Sequence, residues 1–314
     1  METFDSASRA TRRVARRQGA RRPRVSPVPY AFVAPAVLLL VAFGVLPIVV
    51  AGFVSFTDLD IAGLANPDTV SVIGFDNYRT LFADGDFWRS LRITIGFVGF
   101  GVPSIVAISL AIGFGLSYGT SRWFRALRTF YFMPAITAIV AVSLVWGLLY
   151  NTQFGLLNHL LDLVGLPPVR WLSDPAMARV SVGIVAVWRA IGLNSIIFLA
   201  ALTSIPDEYY EAASLDGASA WQQFRHITLP LLKFALLFVS VTTTIAWLQF
   251  FDEPFVLTDG GPVGATTSIS LFVFEEGFSR NQFGYASAGT VVLFVIILAV
   301  TSVQLRLFRE GRDA

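Results

Sequence analysis

The 314-residue sequence contains no cysteine and only two histidines, His159 and His226. Without cysteine the chain cannot form a disulfide, a thiol nucleophile, a thiolate-bound zinc site or an iron–sulfur cluster. Two histidines leave little material for a histidine-rich metal site or a Ser-His-Asp triad. Charged residues are scarce too, at 14% of the chain against about 25% in ordinary globular domains. Since 55% of the residues are hydrophobic, the composition favours a polytopic membrane protein over a soluble enzyme.

A nucleotide-binding P-loop is also missing, because the sequence contains no G-x-x-x-x-G-K-[ST] segment and its only lysine is Lys233. The backbone and the lysine of that motif hold the phosphates of ATP. The chain is therefore predicted not to bind and hydrolyse ATP in that way, and we expect it to be non-catalytic and to hold no cofactor or metal.

Basic charge is concentrated in a predicted cytoplasmic tail over residues 1–29, where eight arginines fall within residues 9–24. Such a run can be a nucleic-acid-binding arm. The long apolar segment directly after it favours a charged anchor on the cytoplasmic side of a membrane instead, so nucleic acid is not expected as a partner. A cleaved signal peptide is not expected either, because its apolar core would span about 7–15 residues and this run is nearly twice as long.

Six segments are long and apolar enough to cross the hydrocarbon core of a lipid bilayer, which takes about 20 helical residues. They are residues 30–56, 93–116, 129–150, 180–205, 234–251 and 285–305. The predicted fold class is therefore all-α, with a six-helix transmembrane domain over residues 30–305 and a cytoplasmic C-terminal tail over residues 306–314.

The distribution of arginine and lysine predicts the orientation of these spans. With the N-terminus inside, sixteen of the 23 basic residues lie on the cytoplasmic side, six lie outside, and Arg189 lies within the fourth span. Cytoplasmic connections carry an excess of arginine and lysine in membrane proteins. We therefore predict that both termini are cytoplasmic.

The connection between the fourth and fifth predicted spans, residues 206–233, is long and patterned. Pro206 suits the first turn of a helix over residues 207–215, for which Ser204 is a candidate cap. Gly217 is placed to end that helix in the left-handed conformation. A capping box, Ser219-x-x-Gln222, then begins a second helix, and Pro230 is predicted to end it. The product is a helix–turn–helix at the membrane surface, either a lid on the bundle or a docking element for a cytoplasmic partner.

The same connection carries a family resemblance. Glu211-Ala212-Ala213, three residues, Gly217, nine residues, Ile227, one residue and Leu229-Pro230 resemble the EAA signature of binding-protein-dependent ABC importer permeases. Asp216 and Phe224 fit the fuller form of that signature. Elsewhere, Gly74-x-x-Asn77-Tyr78, Thr258-x-Gly260-Gly261-Pro262 with a following threonine, and the segment 283–288 are similar to the carbohydrate-uptake branch. Ile93 and Phe234 depart from residues common in the family, where asparagine and proline are usual.

The resemblance implies a role for each matching residue and a set of partners. The resemblance implies that connection 206–233 is the coupling helix, which docks on an ATP-binding subunit. Glu211 would pair with a basic residue of that subunit, Ala212 and Ala213 would permit close approach, and Gly217 would make the turn. The remaining matching residues of the docking set are Asp216, Ile227, Leu229 and Pro230. The implied partners are two ATPase subunits that bind ATP and Mg, a second related permease, an extracytoplasmic binding protein and a sugar. By residue chemistry alone, without the rest of the signature, Glu211 is better explained as an exposed helix charge.

Polar residues within the predicted spans are candidates for a substrate pathway. Arg189 is costly in a membrane, and either faces a water-filled path or pairs with a neighbouring group; Asn194 is a weaker candidate of the same kind. On the fifth span, one helical stripe of hydroxyls and aromatic rings suits a sugar, although ordinary packing explains each residue equally well. This stripe consists of Ser240, Thr243, Trp247 and Phe250. Asp252 and Glu253 after it are interpreted as the boundary of the span.

Two other classes of function are consistent with a polytopic chain. A secondary transporter or channel would favour inverted repeats and ionisable residues inside the spans, and the sequence offers one arginine there and no acid. A membrane enzyme acting on lipid-linked substrates needs acidic or histidine side chains that converge near one interface. The acids here are scattered over the connections, so the transport subunit is the preferred hypothesis.

Overall fold

The computed structural model of the chain describes residues 28–117, 119 and 122–310. The arginine cluster at residues 9–24 and the last four residues of the predicted C-terminal tail lie outside the described residues. Within them, regular structure is helical apart from one isolated antiparallel bridge between Thr57 and Val72. By compactness the chain divides into two units, Met1–Val50 and Ala51–Ala314, and the second unit contains the core and the cavities.

The helices follow one another with short connections. In the first half of the chain they are α1 Val28–Leu40, α2 Leu46–Val54, α3 Ile61–Ala65, α4 Asp76–Ala83, α5 Gly85–Ser117, α6 Arg122–Ile136, α7 Ile139–Leu149 and α8 Leu156–Leu163. In the second half they are α9 Pro175–Thr203, α10 Asp207–Leu215, α11 Ala220–Gln223, α12 Leu229–Leu231, α13 Lys233–Leu248, α14 Asp252–Thr258, α15 Ile269–Phe274 and α16 Phe283–Glu310. Shorter helical pieces are the 3-10 turn Pro67–Thr69 and the π turns Val41–Val45, Phe224–Thr228 and Glu275–Ser279.

Between four and six of these segments qualify as membrane spans by length and composition. Four are single helical runs: Tyr30–Val54, Gly85–Ser117, Pro175–Thr203 and Phe283–Phe308. Two further candidates are bent pairs, Ala126–Ile136 with Ile139–Leu149 and Ala220–Leu231 with Lys233–Leu248. The prediction of an all-α membrane fold is confirmed, and each predicted span overlaps one of these segments.

The third predicted span, 129–150, is wrong as a continuous helix. Its two limbs meet at 98°. Pro134 lies in the last turn of α6, and Ala138 leaves the helical region at φ −56° and ψ 126°. A proline removes one backbone donor and crowds the turn before it, but α6 continues past Pro134 to Ile136, so the break lies after the proline, at Ala138. The span is therefore a broken one.

The fifth span is bent by 65°, and the position of the break corrects a second expectation. The helical path continues through Pro230, which lies near the start of α12 where a proline is tolerated. The break comes at Leu232, where ψ is 0°, directly before α13. Leu232 itself is buried, so the corner is anchored in the core.

The core forms where α5, α9, α13 and α16 pack together. α5 runs along α9, and α13 packs against both α5 and α16. Phe87 and Phe198 are fully buried within this core. A Cβ added at Gly192 would lie 2.1 Å from the Tyr131 carbonyl oxygen, so α6 can approach α9 only because this residue is glycine. These helices fix the relative positions of the polar residues described next.

Candidate functional site

Two features of the second unit gather the residues singled out from the sequence. One is a cavity of about 280 Å³ between α9 and the end of α13, here called the Arg189 cavity. Its lining residues are Ala135, Ala186, Arg189, Ala190, Leu193, Asn194, Ala246, Trp247, Gln249, Phe250, Phe251, Asp252 and Glu253. The α9 members recur at three- and four-residue spacing, which places them on one face of that helix. The other feature is the helix–turn–helix that follows α9.

An ion pair closes one side of the Arg189 cavity. The Arg189 Nε donates to Glu253 Oε1 at 2.9 Å, with 29% of the arginine side chain and 3% of the glutamate side chain exposed. The interpretation of Glu253 as a mere span boundary is therefore wrong. An arginine inside an apolar span needs a compensating charge, and this requirement is a signal that could have indicated a nearby acid, although it does not identify which one. With Asp252 also lining the cavity, its three charged residues carry a formal charge of −1.

Aromatic rings form another wall of the Arg189 cavity. Trp247 stacks on Phe250 with centroids 5.1 Å apart and planes 6° apart, and Phe250 meets Phe97 edge-on at 5.0 Å. A Cβ at Gly101 would lie 1.9 Å from the Trp247 ring, so the indole fills space left by the missing side chain. Trp247 thus packs α13 against α5 and also reaches the cavity.

The other predicted pathway residues occupy different environments. Asn194 lines the cavity, and its Nδ2 donates to the Ala190 carbonyl of its own helix at 2.9 Å. Thr243 is buried and is absent from the lining, as is the half-buried Ser240, whose carbonyl accepts a hydrogen bond from Thr244. The structure therefore brings together Arg189, Asn194, Trp247 and Phe250, and leaves the two hydroxyl residues outside.

The helix–turn–helix forms as its local sequence predicts. α10 covers the predicted residues 207–215, and Gly217 follows it at φ +77°. The Gly217 and Ala218 N–H groups donate to the Ser214 and Ala213 carbonyls, which is the hydrogen-bond pattern of a Schellman C-cap. The Ser219–Gln222 capping box begins α11. The predicted Ser204 cap is wrong: Ser204 Oγ donates back to the Ala201 carbonyl of α9, and Pro206 occupies the N-cap position of α10.

The helix–turn–helix is one braced block. Tyr210 and Thr228 share a hydroxyl–hydroxyl hydrogen bond at 2.9 Å, and Gln223 Nε2 donates to the Ser214 hydroxyl at 3.0 Å. Phe224 packs edge-on against Phe114 of α5, with centroids 5.5 Å apart. The block therefore contacts α5 through Phe224 and continues into α13 through the buried Leu232.

The outer face of that block carries most of the residues of the signature. Glu211, Ala212, Asp216 and Gly217 are exposed, and Ala213 is half-buried. Exposed apolar side chains flank them, with Leu215 90% and Trp221 66% accessible. Toward the bundle, Ile227 and Leu229 are half-buried and Pro230 is exposed. An exposed surface that mixes apolar and acidic residues is suited to contact with another protein.

The motifs outside this connection are hydrogen-bonded structural elements. Asn77 Nδ2 donates to the Ser55 and Thr57 carbonyls, and the Tyr78 hydroxyl bonds the Ser55 hydroxyl at 2.7 Å. These contacts fasten the end of α2 to α4. The motif therefore has a structural role that its sequence alone does not reveal.

The threonine- and glycine-rich segment after α14 is held in the same way. The Thr258 and Thr266 hydroxyls lie 2.6 Å apart, and the Thr266 and Thr267 hydroxyls donate to the Gly261 and Gly260 carbonyls. Gly260 has φ +77°, which a glycine adopts without strain. Near this segment, burial raises the pKa of the Glu276 carboxyl above its ordinary value, although Arg280 is paired with it and opposes the shift.

An all-helical chain with several membrane spans, a polar cavity between them and an exposed helix–turn–helix is the architecture of a membrane transport subunit. The chain belongs to the family of binding-protein-dependent transport system inner membrane components, whose family model matches residues 81–310. The predicted resemblance to this class of ABC importer permeases is thus confirmed.

Individual relatives match along most of the chain. The trehalose/maltose transport system permease protein MalF of Thermococcus litoralis is 34% identical over 289 residues, covering 90% of this chain and 94% of that protein. The lactose transport system permease protein LacF of Rhizobium radiobacter is 32% identical over 286 residues, covering 90% and 94%. A solved bacterial alginate ABC transporter, in complex with an alginate pentasaccharide-bound periplasmic protein, matches with a TM-score of 0.76, 25% identity, and coverage of 90% and 94%.

Proposed function

We propose that this inner-membrane permease subunit imports a sugar or oligosaccharide as part of an ATP-driven complex. The observation that carries the proposal is the exposed, braced helix–turn–helix with the full signature on a chain without a P-loop. The named substrates of the relatives, trehalose or maltose and lactose, support a carbohydrate. Four of the six predicted pathway residues line the Arg189 cavity, which gives a sugar both charged edges and aromatic faces.

The helix–turn–helix is the coupling element of this proposal. A separate ATPase dimer binds ATP and Mg²⁺, and Glu211 on the exposed face of α10 pairs with a basic residue of one ATPase subunit. Closure of the ATPase dimer displaces the braced block, and the block carries α5 and α13 with it. Since α13 supplies Trp247 and Phe250 to the Arg189 cavity, this movement changes the access of a sugar to that cavity.

Two further partners complete the transporter. A second related permease subunit forms the other half of the translocation path, and an extracytoplasmic binding protein delivers the sugar to the outer connections. The complex of a related alginate transporter with a periplasmic protein supports the second of these partners. The spans lie in the lipid bilayer with both termini cytoplasmic.

The requirement for partners is tested by purification. We expect the isolated chain to show no ATP hydrolysis, and the chain co-expressed with the ATP-binding subunit and second permease to co-purify with them. The reconstituted complex should then hydrolyse ATP faster when the loaded binding protein is added. Appreciable ATP turnover by the isolated chain would contradict the proposal.

The orientation is tested with reporters. Sixteen of 23 basic residues on one side predict that a reporter fused after Ala314 is cytoplasmic and that one inserted near Asp68 is outside. An alkaline phosphatase fusion, active only outside, and a fluorescent protein that folds only inside give complementary signals. The reverse pattern at either site would exclude the six-span arrangement.

A further inference from the structure

A second cavity, of about 790 Å³, lies at the opposite end of α5 and α9 from the helix–turn–helix. Three of its lining residues are arginines: Arg89 and Arg92 on α5 and Arg179 on α9. The rest of the lining is largely apolar and includes Phe97 and Phe100. We call it the arginine cavity. It holds three exposed arginine side chains above an apolar wall, an arrangement that an amphipathic anion would complement.

Arg92 and Arg179 have no carboxylate within ion-pair distance in the described residues, whereas Arg89 also lines a neighbouring cavity together with Asp86, Glu275 and Glu276. In residues 28–117, 119 and 122–310, two other arginines on the same predicted side of the membrane are ion-paired: Arg79 with Asp76 and Arg280 with Glu276. By contrast, none of the three in the cavity forms an ion pair within those ranges. Each donates to a backbone carbonyl instead: Arg89 to Val263 at 2.6 Å, Arg92 to Trp88 at 3.2 Å and Arg179 to Pro175 at 3.2 Å. A guanidinium has five N–H donors, so most of them remain for a ligand.

The arginines lie close to the ends of two candidate membrane spans. Arg92 directly precedes the predicted span 93–116, and Arg179 directly precedes the predicted span 180–205. In the structure the helical runs that contain them begin earlier, at Gly85 and Pro175, so both arginines lie within the first eight residues of a candidate span. A side chain near the end of a span can reach the lipid headgroups. Trp88, a residue type enriched at this interface, is exposed one turn above Arg92.

Below the arginines the cavity wall has the character of a lipid-facing surface. Phe100 is 52% exposed and Val180 is 46% exposed. Phe100 lies eight residues after Arg92, which is about 12 Å along the helix axis. Cationic groups at headgroup depth with apolar surface beneath them match an amphipathic anion. Arginine also suits phosphate, because its planar fork donates two parallel hydrogen bonds.

We propose that the arginine cavity binds the phosphate headgroup of an anionic phospholipid, with the acyl chains against Phe100 and Val180. An acidic saccharide is the less favourable occupant, because it supplies an anion but no acyl chains to cover the exposed apolar wall of Phe100 and Val180. The Phe97–Phe250 contact separates the two cavities, so a lipid can occupy one without entering the other. The inference requires membrane spans but does not depend on which side of the membrane faces the cytoplasm.

The test measures lipid selectivity on the full chain. Nanodiscs with equal phosphatidylglycerol and phosphatidylcholine are used, and the lipids retained by the purified protein are counted by native mass spectrometry. We expect phosphatidylglycerol to be enriched. Since one basic residue near an anionic surface contributes about 1 kcal/mol, Arg92→Gln or Arg179→Gln should each lower the enrichment about five-fold, and the double variant about 30-fold.

Matched variants separate this site from general surface charge. Arg170→Gln removes an exposed arginine that does not line the cavity and should leave the enrichment unchanged. The double variant Arg92→Lys with Arg179→Lys keeps both charges and should retain most of the phosphatidylglycerol enrichment. Equal retention of the two lipids by the wild type would overturn the proposal, and this measurement needs no variant to fold. A loss with Arg170→Gln as large as with Arg92→Gln would overturn it too.

Two further outcomes identify other occupants. An excess of inorganic phosphate should not displace the phosphatidylglycerol, because the acyl chains contribute to binding. Complete displacement would mean a free-anion site and overturn the proposal. The enrichment should also persist in the assembled transporter. Its disappearance there would mean that a partner protein covers the cavity, which likewise overturns the proposal while leaving the transport function intact.

Discussion

Replacing Gly217 by valine is expected to abolish transport-coupled ATP hydrolysis while the helical bundle still folds. Gly217 has φ +77° directly after Asp216, the C-cap of α10, and a β-branched residue there is strained by about 1–3 kcal/mol. A Cβ at this position would meet no heavy atom within 4 Å, so the effect is one of backbone conformation rather than crowding. The angle between α10 and α11 would change, and the docking face that carries Glu211 would be misaligned.

The measurement is co-purification of the ATPase subunit together with stimulated ATP hydrolysis in reconstituted membranes. Gly217→Asn is the matched control, since asparagine tolerates the left-handed conformation at this cap and should keep both activities. Wild-type docking and stimulation in Gly217→Val would mean that this connection is not the coupling element.

Glu211→Ala in the same assay should act more mildly than Gly217→Val. It removes one charge-assisted contact, worth about 1.5–3 kcal/mol, from the exposed face of α10. Binding of the ATPase subunit should therefore weaken about 10- to 150-fold. Glu208→Ala, one turn earlier on the same helix, is the control for a general loss of negative charge.

The helix–turn–helix could be predicted from sequence because its determinants are local. Pro206, Gly217 and the Ser219–Gln222 box each act on backbone groups within a few residues, so α10 begins and ends, and α11 begins, where these residues require. The membrane spans could be predicted for the same reason, because each span is one continuous apolar segment of the chain. The bend at Thr137–Ala138 was missed because a proline in an apolar run is compatible with a mild kink as well as with a 98° corner.

Features that join distant parts of the chain were not predictable in the same way. Glu253 lies 64 residues from Arg189, and only the fold of α9 against the end of α13 brings the two side chains to 2.9 Å. The four residues of the stripe on the fifth span do not all reach the Arg189 cavity, for a similar reason. A helical pattern identifies a shared face, but the position of α5 and Gly101 decides which part of that face is packed and which part reaches the cavity.

The Arg189–Glu253 pair supplies the second large expected effect. Glu253→Gln leaves a mostly buried guanidinium without its counter-charge, and breaking a buried pair in this way costs about 3–5 kcal/mol. We expect a marked fall in the unfolding temperature of the detergent-solubilised protein, followed by circular dichroism. Asp252→Asn, which removes an exposed carboxylate from the same cavity, should change stability by about 0.5 kcal/mol or less. Equal stability of the two variants would show that the pair does not support the fold.

The double variant Arg189→Gln with Glu253→Gln separates the structural role of the pair from a role in transport. It removes both charges, so it should be more stable than Glu253→Gln alone, as coupled neighbours require. If Arg189 also contacts the sugar through the 29% of its side chain that is exposed, the double variant should assemble with its partners and hydrolyse ATP, yet transport the sugar poorly. We expect this result, because a guanidinium edge that lines a cavity beside the stacked Trp247 and Phe250 rings is placed to bond sugar hydroxyls. Normal transport by the stable double variant would assign Arg189 to the fold alone and move the sugar contacts to other lining residues.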